Sequence, residues 1–270
     1  MNNALNSAMN QPPELALDVR LMNALAYGMF ALAGLLVLTA VLAWGARQPV
    51  FAIVGVSVSG DVTHYNANTL RANVMPHLSG TFFTLNLQAA RKTFKTLPWV
   101  REAIVRRDFP NRLRVQLQEH QPVAYWGSDG DSRLVNSFGE VFEANLGELE
   151  QDDLPRLVGP EGQSAQVLAM WRLLQPALER ADLRIAQLEL SARGGWRGEL
   201  DSGMALELGS GDAATLLART DRFLSTVTQV TARFQRHPQQ LASVDLRHSD
   251  GYAIRMDGVS TLAATDGKKK

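Results

Sequence analysis

Between Arg20 and Arg47 the chain runs for 26 consecutive residues, LMNALAYGMFALAGLLVLTAVLAWGA, without a lysine, arginine, aspartate or glutamate. A helix rises ~1.5 Å per residue, so about 20 apolar residues cross a ~30 Å hydrocarbon core. The stretch Ala24 to Trp44 holds six leucines, two valines and one phenylalanine. At roughly −0.3 to −0.6 kcal/mol each, these side chains favour insertion by about 3–5 kcal/mol together. Trp44 stands at the far end, where an amphipathic ring anchors among headgroups. A cleaved signal peptide would carry a shorter apolar region, of ~7–15 residues, nearer the N-terminus. A buried core helix seldom runs this long without a charge. The run therefore predicts one uncleaved membrane helix over 24–46, behind an arm of residues 1–23.

Charge does not decide the orientation of that helix. Arg20 is set against Glu14 and Asp18 on one flank, and Arg47 follows on the other. No second run of this kind follows, so everything beyond about residue 48 is expected on one side. The absence of cysteine excludes a disulfide framework and thiol chemistry.

The rest of the chain is balanced in net charge but uneven in its distribution. Arg91 to Arg114 holds eight basic residues against Glu102 and Asp108, whereas Glu119 to Glu161 holds ten acidic residues against Arg133 and Arg156. The change of sign near Gln121-Pro122 predicts a module boundary, with modules over 50–120 and 121–257. The basic block suits anionic lipid or an acidic partner, or simply a solvated face.

In the first module Val50 to Val58 reads as a strand ended by Gly60-Asp61. Leu70, Val74 and Leu78 recur every fourth residue after the cap candidates Asn66 and Asn68, which predicts a short helix disturbed by Pro76. Asn86 caps a second helix whose stripe is Leu87, Ala90, Phe94 and Leu97, and Pro98 stops it. Arg101 to Arg107 and the alternating Arg112 to Glu119 read as strands around the turn Asp108-Phe109-Pro110-Asn111. Phe94 and Trp99 are expected to pack the helical stripe onto Leu113, Val115 and Leu117. The order is β-α-α-β-β.

That order is similar to a POTRA domain. The phrases GTFFTLNL (80–87), LPWVREAIVRRDFPNRLRVQLQEHQPVAYW (97–126), LVNSFGEVF (134–142) and SVDLRHSDGYAIRM (243–256) resemble the FtsQ family of bitopic bacterial cell-division proteins. The likeness runs from the arm to the last hairpin, about nine-tenths of the chain.

In the second module Tyr125-Trp126 opens a strand, Arg133 to Phe142 forms a hairpin, and a helix around Val167–Leu174 kinks or ends at Pro176. Strands follow at Arg184–Leu190 and Trp196–Leu208, the latter folded at Asp201-Ser202-Gly203. Asp212 caps a further helix, and Ser243–Arg247 and Tyr252–Met256 make a last hairpin. The predicted class is α+β: a transmembrane helix, a POTRA domain, and a mixed, mainly antiparallel β domain with packed helices. Residues 258–270 have no apolar pattern and are expected to be disordered.

Nothing in the sequence argues for catalysis. His64, His77, His120, His237 and His248 are scattered, with no ligand spacing for a metal. No GxSxG elbow or SxxK pair occurs, and Gly209-Ser210-Gly211 lacks the lysine of a phosphate loop. No cofactor, nucleic acid or small-molecule substrate is therefore expected. A POTRA-bearing secretion or outer-membrane assembly factor, or a membrane-anchored cell-wall enzyme, is the alternative class.

The resemblance implies a non-enzymatic scaffold in the bacterial inner membrane, with its arm in the cytoplasm and both modules in the periplasm. It implies binding to FtsB and FtsL among other division proteins, and thereby an influence on septal peptidoglycan synthesis. It places the contacts on the last hairpin, at Arg247, His248, Gly251, Tyr252, Ile254 and Met256, with the final strand accepting a segment of FtsB. Arg247 would meet an acidic partner side chain, and Gly251 would allow close backbone approach. More familiar family members carry tyrosine and tryptophan where this chain has His248 and Met256.

Overall fold

The computed structural model describes residues 17–65, 67–149 and 153–258. The arm before residue 17 and nearly all of the tail expected to be disordered lie outside the described residues. Helix α1 spans Leu17–Ala46, so its 30 residues reach about 45 Å. It starts earlier than the apolar run because Asp18 lies in its first turn, where an acidic side chain complements the helix dipole. Its apolar side chains have no protein cover: Phe30 is 77% exposed and Leu36 60%. Among the described residues it is the one helix long and apolar enough to cross a membrane.

The helix closes with the N–H groups of Arg47 and Gln48 donating to the carbonyls of Trp44 and Gly45. Pro49–Phe51 is then a single 3-10 turn, so the strand expected from Val50 begins only at Gly55. Proline presets the turn and has no N–H to give a ladder. The small sheet has the order β1-β3-β2, with β1 at Gly55–Asp61, β2 at Val100–Asp108 and β3 at Arg112–Glu119. Helices α2 (Ala67–Val74) and α3 (Leu87–Phe94) lie between β1 and β2 in the chain, the order expected of a POTRA domain. Asn86 caps α3, its Oδ1 accepting from the N–H groups of Gln88 and Ala89. Leu113, Val115 and Leu117 are buried on one side of β3, as their alternation required.

The described residues form two compact units: 17–59, 67–93 and 104–116 make the first, and 60–65, 94–103, 117–149 and 153–258 the second. In the first, Thr81 Oγ1 donates to the Ala46 carbonyl at 2.6 Å and the Phe82 N–H to the Phe51 carbonyl at 2.7 Å. Arg107 extends this tie, donating to the carbonyls of Phe82 and Leu85 at 2.5 and 2.8 Å.

The second unit is built on a nine-stranded sheet of order β12-β11-β10-β9-β8-β7-β4-β5-β6. Its strands are β4 (Pro122–Trp126), β5 (Arg133–Asn136), β6 (Val141–Glu143), β7 (Arg156–Val158), β8 (Ile185–Leu190), β9 (Gly195–Leu200), β10 (Ala205–Ser210), β11 (Leu241–Asp245) and β12 (Ala253–Met256). The pairs β4/β7, β7/β8 and β10/β11 are parallel and the other five antiparallel, so the sheet is mixed. Helices α4 (Ser164–Glu179) and α5 (Ala213–Ala232) cover it, and Leu174, Leu188, Leu206, Phe223 and Val244 are buried in the core they share. Pro176 does not end α4. Its ring faces solvent, while Leu174, Ala177 and Leu178 continue the buried face to Glu179. Asp212 caps α5 as expected, Oδ1 accepting from the Thr215 N–H at 2.9 Å.

Trp99 departs from its expected place. It is 1% exposed, but in the second unit, with Leu134, Phe142 and Ala144. Its ring stacks on His64 at 3.7 Å, meets the edge of Phe142, and donates from Nε1 to Glu148 at 2.7 Å.

Candidate functional site

The last hairpin, β11 to β12, brings the resemblance-assigned residues to one rim of the large sheet. Leu246 donates its N–H to the Glu207 carbonyl at 2.8 Å, so the even-numbered residues of β11 turn their backbone groups toward β10. Ser243 and Asp245 must then face β12, where they oppose Arg255 and Ala253. By the same alternation, Ile254 directs its N–H and C=O outward. No strand pairs with that side of β12 among the described residues. An unpaired rim of this kind is a template for an incoming strand.

The two faces beside this rim differ. Tyr252 and Ile254 are half-buried against the core and Met256 is 8% exposed. Tyr252 meets Phe223 edge-on at 5.3 Å and shares a 2.7 Å hydrogen bond with the Thr226 hydroxyl, so α5 fixes its ring. Ala253 and Arg255 occupy the other, exposed face. A strand added here would set alternate side chains beside Ile254 and Tyr252, and the others beside Ala253 and Arg255.

Arg247 and His248 are exposed just beyond β11. Arg247 is already engaged within the chain: Nη2 and Nε donate to the Asp245 carboxylate at 2.6 and 2.9 Å, and the Arg247 N–H adds a third bond at 3.0 Å. The guanidinium holds the Asp245 carboxyl down at about 2, against the opposing effect of partial burial. Gly209, at φ +77°, lets the Arg247 stem cross it, since a Cβ there would lie 2.8 Å from Arg247 Cγ. A Cβ on Gly251 would meet nothing within 4 Å, so that side is open to another backbone. The Ser249 carbonyl, in the turn between, accepts from Arg222 Nη1 on α5. The Asp245–Arg247 pair had a readable signal, two opposite charges at strand spacing. The tie from Arg222, 27 residues away, had none.

Two further polar clusters in this unit serve structure. Glu119 is 5% exposed and accepts from the Thr63 and His64 N–H groups and meets His64 Nδ1 at 2.8 Å. Asn136 is fully buried: Oδ1 accepts from the N–H groups of Phe138 and Glu140, and Nδ2 donates to His120 Nδ1 and Glu140. The Arg101 guanidinium binds Glu140 at 2.7 Å and lowers its pKa, while burial lowers that of His120. These carboxylates are committed to internal hydrogen bonds. Among the described residues no group of three or more His, Asp or Glu side chains is arranged to hold a metal ion.

A family profile described as cell division protein FtsQ/DivIB, C-terminal, matches residues 124–247, and one described as POTRA domain, FtsQ-type, matches residues 51–120. The protein named cell division protein FtsQ of Thiomonas arsenitoxydans is 39% identical over 250 residues, covering 92% of this chain and 91% of that protein. That of Burkholderia pseudomallei is 39% identical over 254 residues, 94% and 99% of the two chains. That of Bordetella pertussis is 32% identical over 270 residues, 94% and 97% of the two. On two adjacent profile matches and relatives of this extent, the chain belongs to the FtsQ family of cell division proteins.

Proposed function

We propose that this cell-division protein is a non-enzymatic scaffold, anchored by α1 in the inner membrane with the arm in the cytoplasm and residues 50–120 and 121–257 in the periplasm. In this reading it bridges division proteins by binding the FtsB and FtsL complex, and through that complex acts on septal peptidoglycan synthesis. The observation that carries the reading is the rim of β12, left without a neighbouring strand among the described residues and flanked by Tyr252 and Gly251. A segment of FtsB would add there as a tenth strand, its backbone meeting that of Ile254 and its side chains reaching Tyr252 and Met256. Arg247 would reach a partner acid from its place on Asp245, and His248 lies beside it on the exposed turn.

The test is Ile254→Pro in the full chain. Proline removes the outward N–H of Ile254 and leaves the bonds that Arg255 and Ala253 make to β11. The variant is expected to keep its thermal midpoint within a few degrees and to lose co-purification with FtsB. A folded variant that still binds FtsB would place the contact elsewhere. Reporter fusions after Met256 test the topology: alkaline phosphatase is expected to be active there, and green fluorescent protein exported through the general secretory route dark.

A further inference from the structure

The first unit carries an apolar tip that its own fold leaves bare. Phe109 is 80% exposed, Val50 74%, Val54 63% and Phe83 51%. These residues come from three separate segments that the fold ties together. The Val54 N–H donates to the Asn111 carbonyl at 3.0 Å, and the Phe82 N–H to the Phe51 carbonyl. The ring of Phe82, itself buried, meets Phe83 at 5.2 Å and Phe109 at 6.2 Å, and Phe83 meets Phe51 at 5.0 Å. Four aromatic rings thus adjoin one another, two of them largely in the open.

The same tip is fastened to the end of α1. Thr81, immediately before Phe82, donates its hydroxyl to the carbonyl of Ala46, the last residue of that helix. If Trp44 marks the headgroup level, Ala46 lies only about 3 Å further along the axis. The charge near the tip is basic: Arg107 donates to the carbonyls of Phe82 and Leu85, Arg112 lines one cleft with Val54 and Asn111, and Arg47 follows the helix directly. Asp108, the one acidic residue of this unit beyond the helix, is paired with Arg114 at 3.2 Å. Aromatic rings with arginines beside them, tied to the end of a membrane-spanning helix, have the composition of a bilayer interface.

We propose that Val50, Val54, Phe83 and Phe109 form a lipid-binding surface that lies in the headgroup layer of an anionic bilayer. The occupant is the membrane itself, because the tip is hydrogen-bonded to the end of the helix that enters it. The inference rests on the reading of α1 as a membrane span. Docking at this layer holds the first unit down on the membrane rather than letting it swing on the short Gln48–Phe51 link.

The chain contains no cysteine, so single positions can be labelled in the full-length protein. Phe109→Cys, Leu35→Cys and Ala192→Cys would carry a nitroxide, in vesicles of phosphatidylethanolamine and phosphatidylglycerol diluted to single copies. Ala192 is the aqueous reference, exposed in the turn between β8 and β9. Circular dichroism and the thermal midpoint check the fold of each variant. The label at 109 is expected to be several-fold less accessible to an aqueous nickel complex than the label at 192, and shallower than that at 35. Adding Phe83→Ser, or exchanging phosphatidylglycerol for phosphatidylcholine, should reduce that protection. Equal aqueous access at 109 and 192, with 35 deep in lipid, would overturn the proposal and leave the anchor intact. A label at 35 open to water would overturn both. Protection unchanged by Phe83→Ser and by lipid charge would also reject it, since neither ring nor arginine would then be contributing.

Discussion

Replacing Trp99 by alanine is the most direct test of how the second unit is held together. The indole is 1% exposed, lies flat on His64 at 3.7 Å, meets Phe142 edge-on at 5.6 Å and donates to Glu148 at 2.7 Å. Truncating a buried tryptophan costs about 3–5 kcal/mol, because the lost burial is joined by a cavity that neighbours only partly fill. In a unit of this size each kcal/mol moves the midpoint by about 2–4 °C, so a drop of about 6–20 °C is expected. Trp99→Phe separates the contributions. It keeps most of the ring packing and loses the hydrogen bond to Glu148, for about 1–2 kcal/mol. Differential scanning calorimetry of the full chain in detergent micelles reads both. A midpoint for Trp99→Ala within about two degrees of the parent, the shift that ~1 kcal/mol or less would give, would refute the placement of this indole in a buried cluster with Leu134 and Phe142.

Other predictions concern the hairpin and the Asn136 cluster. Arg247→Gln should let the Asp245 carboxyl rise from about 2 toward its ordinary 3.8, read by carbon-detected NMR titration. Because the folded-state value is depressed, this pair steadies the hairpin above about pH 4, and that contribution fades as pH falls through about 2. Gly209→Ala should cost about 1–2 kcal/mol through its left-handed backbone, and should raise the same carboxyl by displacing the Arg247 stem. Burial lowers His120 below its ordinary 6.5, so the unfolded chain takes up the proton first as pH falls and stability declines below about pH 6.5. His120→Gln should flatten that decline in melts taken between pH 7.5 and 5. Asn136→Ala leaves the N–H groups of Phe138 and Glu140 without their acceptor, and should lower stability by about 2–4 kcal/mol in chemical denaturation.

Much of the fold was legible where a local pattern suffices. The uncharged run gave α1, the alternation of Arg112 to Glu119 gave the buried side of β3, and Asp212 marked the start of α5. The hairpin at the end of the sheet was readable from its turn residues, and its position on the rim followed only once the strand order was known. The strand expected from Val50 failed because Pro49 starts a turn, and β7 escaped notice because three residues carry no period. Sequence proximity pairs Trp99 with the nearer helix stripe, because nothing local shows that Glu148 and Phe142 are its partners. Glu119 and Asn136 were invisible for the same reason: Glu119 meets a turn 55 residues earlier, and a buried amide looks like any other asparagine.

The strand order has a dimensional consequence for whatever adds to β12. Neighbouring strands lie about 4.8 Å apart, so the eight steps from β12 to β6 set the two rims of the sheet about 38 Å from each other. The sheet therefore works as a spacer of fixed width. A chain joining at β12 is held at that lateral offset from β6, whose Phe142 packs on Trp99 at the opposite rim. Any linker that ties the added strand back toward the β6 side must span that distance, about 11 extended residues at ~3.4 Å each. Shortening such a linker below this length would break the contact without altering a single interface residue.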